Sequence, residues 1–261
     1  MNPNDTFLSS VDPEILERVR LNRREALGKA AKAGLGAAVL TSLPVAFGLS
    51  AQAAYGQAVP AAVANVLNFA LTLEYLEDDF YKAALQSGIV PAGAARTYVS
   101  LISTHETQHV ALLRRVLGSQ AVAKPVFDFT GGNGANNGPF RPFADYQTFL
   151  ALSQGFEDTG VRAYKGRAPE LKGTDTLTVA LQIHSVEARH ASRIRQLRGQ
   201  KGWIVGNQTD VAALQAIYNG EETVNFTGSI SGVPASAVTE SFDEPLTAAA
   251  VLAIVDPFIA G

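Results

Sequence analysis

Two short segments of this 261-residue chain repeat one pattern of acid and imidazole: Glu106-Thr107-Gln108-His109 and Glu187-Ala188-Arg189-His190. Each is Glu-x-x-His, and residues three apart share one face of a helix. A lone glutamate precedes each, Glu74 and Glu157, and each of these is followed seven residues on by a tyrosine, Tyr81 and Tyr164. The separations nearly match: 32 residues from Glu74 to Glu106, 30 from Glu157 to Glu187, and half-to-half offsets of 83 and 81. This is an internal repeat of two helix hairpins, and few folds can hold it.

The apolar pattern supplies the helices. Val63, Val66, Leu67, Ala70, Leu71 and Leu73 recur at helical spacing and predict a helix over 61–86, with Ser87-Gly88 and Pro91 as its stop. Further helices are predicted over 92–117, over 144–164 (ended by Gly166 and Pro169) and over 174–197. The stretch 120–142 is rich in Gly, Asn and Pro and reads as a long helix-free connection. Its Gly132-x-Gly134 follows no strand pattern, so it fails as a dinucleotide fingerprint. Arg193, Arg195, Arg198 and Lys201 close the fourth helix and read as a solvated helix end; Glu221-Glu222 reads as a solvated turn. Beyond Gly202 the chain is Gly/Ser/Thr-rich, with helical patches near 212–218 and 246–259 too short to fold alone. The fold class expected is all-α: an antiparallel four-helix bundle over 59–201, a long crossover between helices two and three, and an irregular C-terminal extension over 202–261.

Hairpin geometry tests the repeat independently. The first hairpin turns near residues 89–90, so at ~1.5 Å rise per residue Glu74 and Glu106 both lie about 23 Å from the turn. The second turns near residue 171, with Glu157 about 14 residues before it and Glu187 about 16 after. All four carboxylates can meet in one layer of the bundle, where such charges are very costly unless cations offset them. Two divalent metal ions, bridged by glutamates and each capped by a histidine, are the arrangement of dinuclear carboxylate bundles. The metal ligands expected are Glu74, Glu106, His109, Glu157, Glu187 and His190; oxygen and imidazole donors without sulfur suit iron or manganese. Glu77 and Asp78 share roughly the Glu74 face and stay open as replacements for it, although the tyrosine spacing favours Glu74. No catalytic residue is assigned. Tyr81, Tyr164 and His184 are candidates to hydrogen-bond the ligands, against the plainer reading of packed core residues. His105 reads as structural, pointing away from the layer.

The N-terminus reads as an export signal. Arg18, Arg20, Arg23, Arg24, Lys29 and Lys32 precede an apolar run to about Leu49 and then Ala51-Gln52-Ala53, a small-x-small cleavage site. The pair Arg23-Arg24 resembles a twin-arginine signal, the bacterial route for folded proteins, which makes residues 1–53 a signal peptide and the destination periplasmic or otherwise extracytoplasmic. The alternative is an uncleaved anchor, and membrane contact is expected only in that case; Pro44 and Gly48 interrupt the run. Beyond residue 53 the chain carries 15 Lys+Arg against 19 Asp+Glu and no basic footprint, so nucleic acid is not an expected partner. The chain has no cysteine, which excludes disulfides, thiolate zinc sites, iron–sulfur clusters and cysteine nucleophiles.

The set Glu74, Glu106-x-x-His109, Glu157 and Glu187-x-x-His190 resembles the ferritin-like superfamily, which includes bacterioferritins, rubrerythrins and manganese catalases. The resemblance covers residues 61–200. Leu73-Glu74-Tyr75-Leu76-Glu77 through Phe80-Tyr81, together with Phe242-Asp243-Glu244-Pro245, is similar to exported bacterial ferritin-like proteins related to plant desiccation-related proteins. It implies two iron ions, with manganese as the alternative; the chain departs from bacterioferritins and rubrerythrins in having no methionine in its helices and no cysteine, so neither a haem nor a rubredoxin module is expected. Ferroxidase-like oxidation of Fe(II), or reduction of peroxide or dioxygen, is the first functional reading, in oxidative stress or metal handling. A structural or desiccation-protective metal-binding protein and a dimanganese catalase are the alternatives. Metal ions, peroxide or dioxygen are the expected partners, with a homo-oligomer possible. The sixty-residue extension is foreign to cage ferritins.

Overall fold

The computed structural model describes residues 59–223 and 232–260; the export-signal reading falls on residues outside these. Four long helices dominate: α1 (Ala61–Ser87), α2 (Ala94–Leu117), α3 (Tyr146–Arg167) and α4 (Thr176–Leu197). Helix α1 stops at Gly88, whose φ of 77° lies in the left-handed region that a side chain disfavours. Helix α3 starts at Asp145, whose carboxylate accepts a hydrogen bond from the Thr148 amide at 2.7 Å. α1 packs on α2 and α3 on α4 as hairpins, and the hairpins meet through α1 against α3 and α2 against α4. The all-α four-helix bundle expected from the sequence is what the chain forms.

The apolar core lies in two halves. One gathers around Phe80, whose ring packs within 6 Å of Phe129, Phe143, Phe149, Phe156 and Tyr81. The other is built from Val63, Leu67, Leu71, Leu113, Val179 and Ile183. Between them, at the level of Glu74, Glu106, Glu157 and Glu187, runs the polar layer described below.

The crossover 118–145 carries the expected turns, held by Asp128, whose carboxylate accepts from the amides of Thr130, Gly134 and Asn136 at 2.9–3.0 Å. It also forms a short strand the sequence did not show: β1 (Val126–Phe127) pairs antiparallel with β2 (Ile259–Ala260) at the end of the chain.

The extension is bound into the fold through α3. Residues Phe149–Tyr164 of α3 are buried on every face, because α5 (Gln215–Tyr218) and α7 (Ala248–Val255) cover the face turned away from the bundle; α6 (Ala235–Thr239) is a further short helix of the extension, absent from the sequence reading. Leu214, Ile217, Leu246, Val251 and Phe258 join the Phe80 half of the core. Helix α3 runs past Gly166, contrary to expectation. Its lack of a side chain serves packing instead, since a Cβ there would stand 1.9 Å from the Leu246 carbonyl oxygen.

Charge holds the extension as well, and it corrects two readings of solvated residues. Arg195 is buried and makes a bidentate pair with Asp158 at 2.5–2.6 Å, and the Tyr218 hydroxyl donates to the same carboxylate. Arg198 pairs with Asp210 and Lys201 with Glu240, so the end of α4 is a docking surface rather than a solvated terminus. Glu221 is fully buried against Arg162 at 2.7 Å, and Arg162 also donates to the carbonyls of Glu244, Ile217 and Asn219. These partners lie outside the sequence neighbourhood of each residue, which is why its local pattern resembled a solvated one. Gly166→Ala is expected to cost about 1–3 kcal/mol in chemical denaturation and to open residues 240–260 to proteolysis, with helical circular dichroism retained. An unchanged midpoint and cleavage pattern would show that Leu246 does not seat there.

Candidate metal centre

Each long helix delivers its carboxylate to one level, and the four side chains Glu74, Glu106, Glu157 and Glu187 have no solvent exposure. His109 and His190 enter the same layer from α2 and α4, one turn beyond their glutamates. Their donor atoms form two groups, each within 4.8 Å: Glu74, Glu106, His109 and Glu187 in one, Glu106, Glu157, Glu187 and His190 in the other.

The distances show how the groups are joined. His109 Nδ1 lies 3.1 Å from Glu74 Oε2, from Glu106 Oε2 and from Glu187 Oε1. His190 Nδ1 lies 2.9 Å from Glu106 Oε1, 3.2 Å from Glu157 Oε2 and 3.0 Å from Glu187 Oε2. Glu106 and Glu187 therefore each divide their two oxygens between the two groups. A single N–H cannot satisfy three acceptors at once, and Glu106 Oε1 and both oxygens of Glu187 are left without a hydrogen-bond donor. Buried oxygens of that kind need a partner, and a divalent cation at each group fits them.

Two tyrosines complete the outer carboxylates, and they do so crosswise. The Tyr164 hydroxyl of α3 donates to Glu74 Oε1 on α1 at 2.5 Å, and the Tyr81 hydroxyl of α1 donates to Glu157 Oε1 on α3, also at 2.5 Å. Each outer glutamate keeps one oxygen for its group and gives the other to a tyrosine.

Electrostatics follows from crowding acids in a dry layer. Burial, then the charge of Glu187, holds Glu106 well above the usual carboxylate range. Burial raises Glu157 to about 7 against the pull of His190. Burial pushes Glu187 upward too, but the two imidazoles override it and hold it at about 2. Burial disfavours charge on the histidines, yet Glu74 and Glu187 raise His109, and Glu157 with Glu106 and Glu187 raise His190, both well above the ordinary imidazole value. Protons on the imidazoles thus provide the positive charge that the carboxylates require.

The other sequence candidates divide. Glu77 is buried in the layer beside Glu187, outside both donor groups, and burial plus the surrounding glutamates raises its carboxyl well above normal. Asp78 turns away, accepting from Thr107 Oγ1 at 2.7 Å and pairing with Lys82. His184 bonds the Val161 carbonyl at 3.0 Å rather than a carboxylate of the layer. His105, read as pointing elsewhere, instead places Nδ1 2.9 Å from His190 Nε2. The signal was present, since His105 and His109 stand four apart on one helical face.

No curated protein matches the chain by sequence. The model of the ferritin-like domain matches residues 62–200, the span of the four long helices and of every carboxylate and imidazole in the layer, and the chain belongs to the ferritin-like domain family.

Proposed function

We propose that the layer holds two iron ions and that the protein is an exported, ferroxidase-like oxidase or peroxidase. One observation carries the reading: Glu106 and Glu187 each split their oxygens between two imidazole-bearing groups, so each would offer one oxygen to either of two ions. In this assignment Glu74 with His109 serves one position and Glu157 with His190 the other. When bound, the pair would pass electrons from Fe(II), which is oxidised, to peroxide or dioxygen, which is reduced.

The chain's own residues do the rest. Tyr81 and Tyr164 fix the orientation of Glu157 and Glu74, as supporting groups around a metal do. The two apolar halves of the core exclude water above and below the layer. The same donor set accommodates manganese, which makes a dimanganese catalase the near alternative. Because the six groups come from all four long helices, bound metal also cross-links the bundle. That favours, as a second reading, a stress-protective protein in which the metal is structural.

Elemental analysis of the exported protein, with Fe(II) oxidation and peroxide consumption assayed on the same sample, separates these readings. Two irons per chain with turnover supports the oxidase or peroxidase, two manganese with catalase activity the dimanganese catalase, and metal without turnover the structural reading. Glu106→Ala combined with Glu187→Ala is expected to lose both ions and the metal-dependent rise in melting temperature. Retention of two ions by that variant would overturn the ligand assignment.

Metal loading must be proton-coupled. His109 and His190 are raised well above the ordinary imidazole value and Glu157 to about 7, so near neutral pH protons occupy donor atoms that an ion has to take over. Affinity is therefore expected to rise with pH across the region around 7 where Glu157 titrates. Titration calorimetry in buffers of different ionisation enthalpy should show net proton release; binding with no proton release would contradict the imidazolium picture.

Export is the remaining part of the proposal. Arg23→Lys with Arg24→Lys is expected to leave full-length precursor inside the cell. Normal export of that variant would dismiss the twin-arginine route.

A further inference from the structure

A groove of about 660 Å³ opens between α2 and α4, directly outside the metal layer. It is lined by His105 and His190, by the apolar Leu101, Ile102 and Val186, and by Arg189 and Arg193; His190 and Ile102 are buried, and the two arginines lie at the exposed edge. Leu101 is 52 % exposed although it is a large apolar side chain. The two arginines stand four apart on one face of α4, and both are exposed. Arg193 stacks over the Tyr98 ring at 4.2 Å and donates to Gln196. Neither arginine has a carboxylate partner among the described residues, whereas Arg195 and Arg198 on the same helix are both paired.

Charge decides what such a groove admits. No carboxylate lines it among the described residues, so a divalent cation approaching this way meets two positive charges and no ligand. Peroxide or dioxygen needs neither apolar walls nor a volume typical of organic-ligand sites. A polyanion is disfavoured by the acidic balance of the chain beyond residue 53, 15 Lys+Arg against 19 Asp+Glu. A small amphiphile suits all the features together: an apolar body against Leu101, Ile102 and Val186, and one anionic head between Arg189 and Arg193, whose guanidinium forks match a carboxylate.

We propose that this groove is a binding site for a medium-chain carboxylate, held by Arg189 and Arg193 beside the His105–His190 pair. It rests on the metal-centre reading only for the consequence that occupancy is sensed at His190; binding itself needs no metal.

The test is calorimetric titration of the exported protein with sodium octanoate, alongside hexanoate, acetate and 1-octanol. Saturable octanoate binding is expected, strengthening about threefold to fourfold per added methylene and weakening with salt. Arg189→Gln with Arg193→Gln should weaken octanoate by about tenfold or more while leaving 1-octanol and the melting temperature unchanged. No saturable octanoate binding, acetate binding as tightly as octanoate, or an unaffected double variant would each overturn the assignment. A cobalt-loaded sample distinguishes the two readings, because octanoate should shift its visible absorption bands. If cobalt fails to load while octanoate binds with the stated arginine and chain-length dependence, the metal reading falls and the groove stands. If cobalt loads and octanoate does not bind, the groove assignment falls alone.

Discussion

Four carboxylates removed from water in one layer set the terms for the rest of this fold. An isolated buried carboxylate costs several kcal/mol even after the protein relaxes around it, and here Glu74, Glu106, Glu157 and Glu187 share a space that 4.8 Å can span within each donor group. The layer is tolerable only with positive charge inside it, supplied by imidazolium protons or by metal ions. That requirement fixes the phase of all four helices, because each must turn its acid to the same level, and it divides the apolar core into halves that seal the layer from either side. The crossed bonds from Tyr81 and Tyr164 tie α1 to α3 through the carboxylates of the layer themselves. Those bonds leave the outer glutamates one orientation to occupy.

The C-terminal extension extends the same logic outward. Gln154, Asp158 and Arg162 recur at four-residue spacing on the face of α3 opposite the core, and all three are buried by the extension. Asp158 adjoins Glu157, so the Arg195–Asp158–Tyr218 cluster braces the very turn of α3 that presents a carboxylate to the centre. Phe242-Asp243-Glu244-Pro245 lies in this clasp: Glu244 receives Arg162 on its carbonyl and gives its amide to Glu221, and Lys165 donates to the Asp243 carbonyl. The extension is therefore a wall of the bundle that keeps α3 in place.

What could be read from the sequence follows from which interactions are periodic. The four long helices and the common level of Glu74, Glu106, Glu157 and Glu187 were legible because apolar spacing and hairpin length are local quantities. The face formed by Gln154, Asp158 and Arg162 was not, since a polar stripe has the same pattern whether it meets water or a complementary set of charges. Arg195 and Glu221 were misread for that reason: their partners lie 37 and 59 residues away. Gly166 was misread because glycine signals both a helix end and a close approach, and only the position of Leu246 separates them. His105 was within reach of sequence reasoning, four residues from His109, but its partner His190 belongs to the other hairpin.

The repeat also shows where the two halves differ, and the differences fall at the centre. Applying the offset of 81 places His105 opposite Val186, so His190 has an imidazole on its outer nitrogen while the matching place beside His109 is aliphatic. Applying the offset of 83 places Glu77 opposite Gly160, and these two residues meet: a Cβ on Gly160 would lie 3.5 Å from Glu77 Oε1 and 3.5 Å from Glu187 Cγ. Two carboxylates related in this way would compete for one space between the hairpins. A glutamate on one side and a glycine on the other resolve the competition, leaving one additional acid in a layer that otherwise repeats. The two candidate metal positions are accordingly inequivalent in their surroundings, with the His105–His190 pair and the arginine-rimmed groove on one side only. Two ions held here would therefore meet different surroundings while drawing on matching sets of carboxylates and imidazoles.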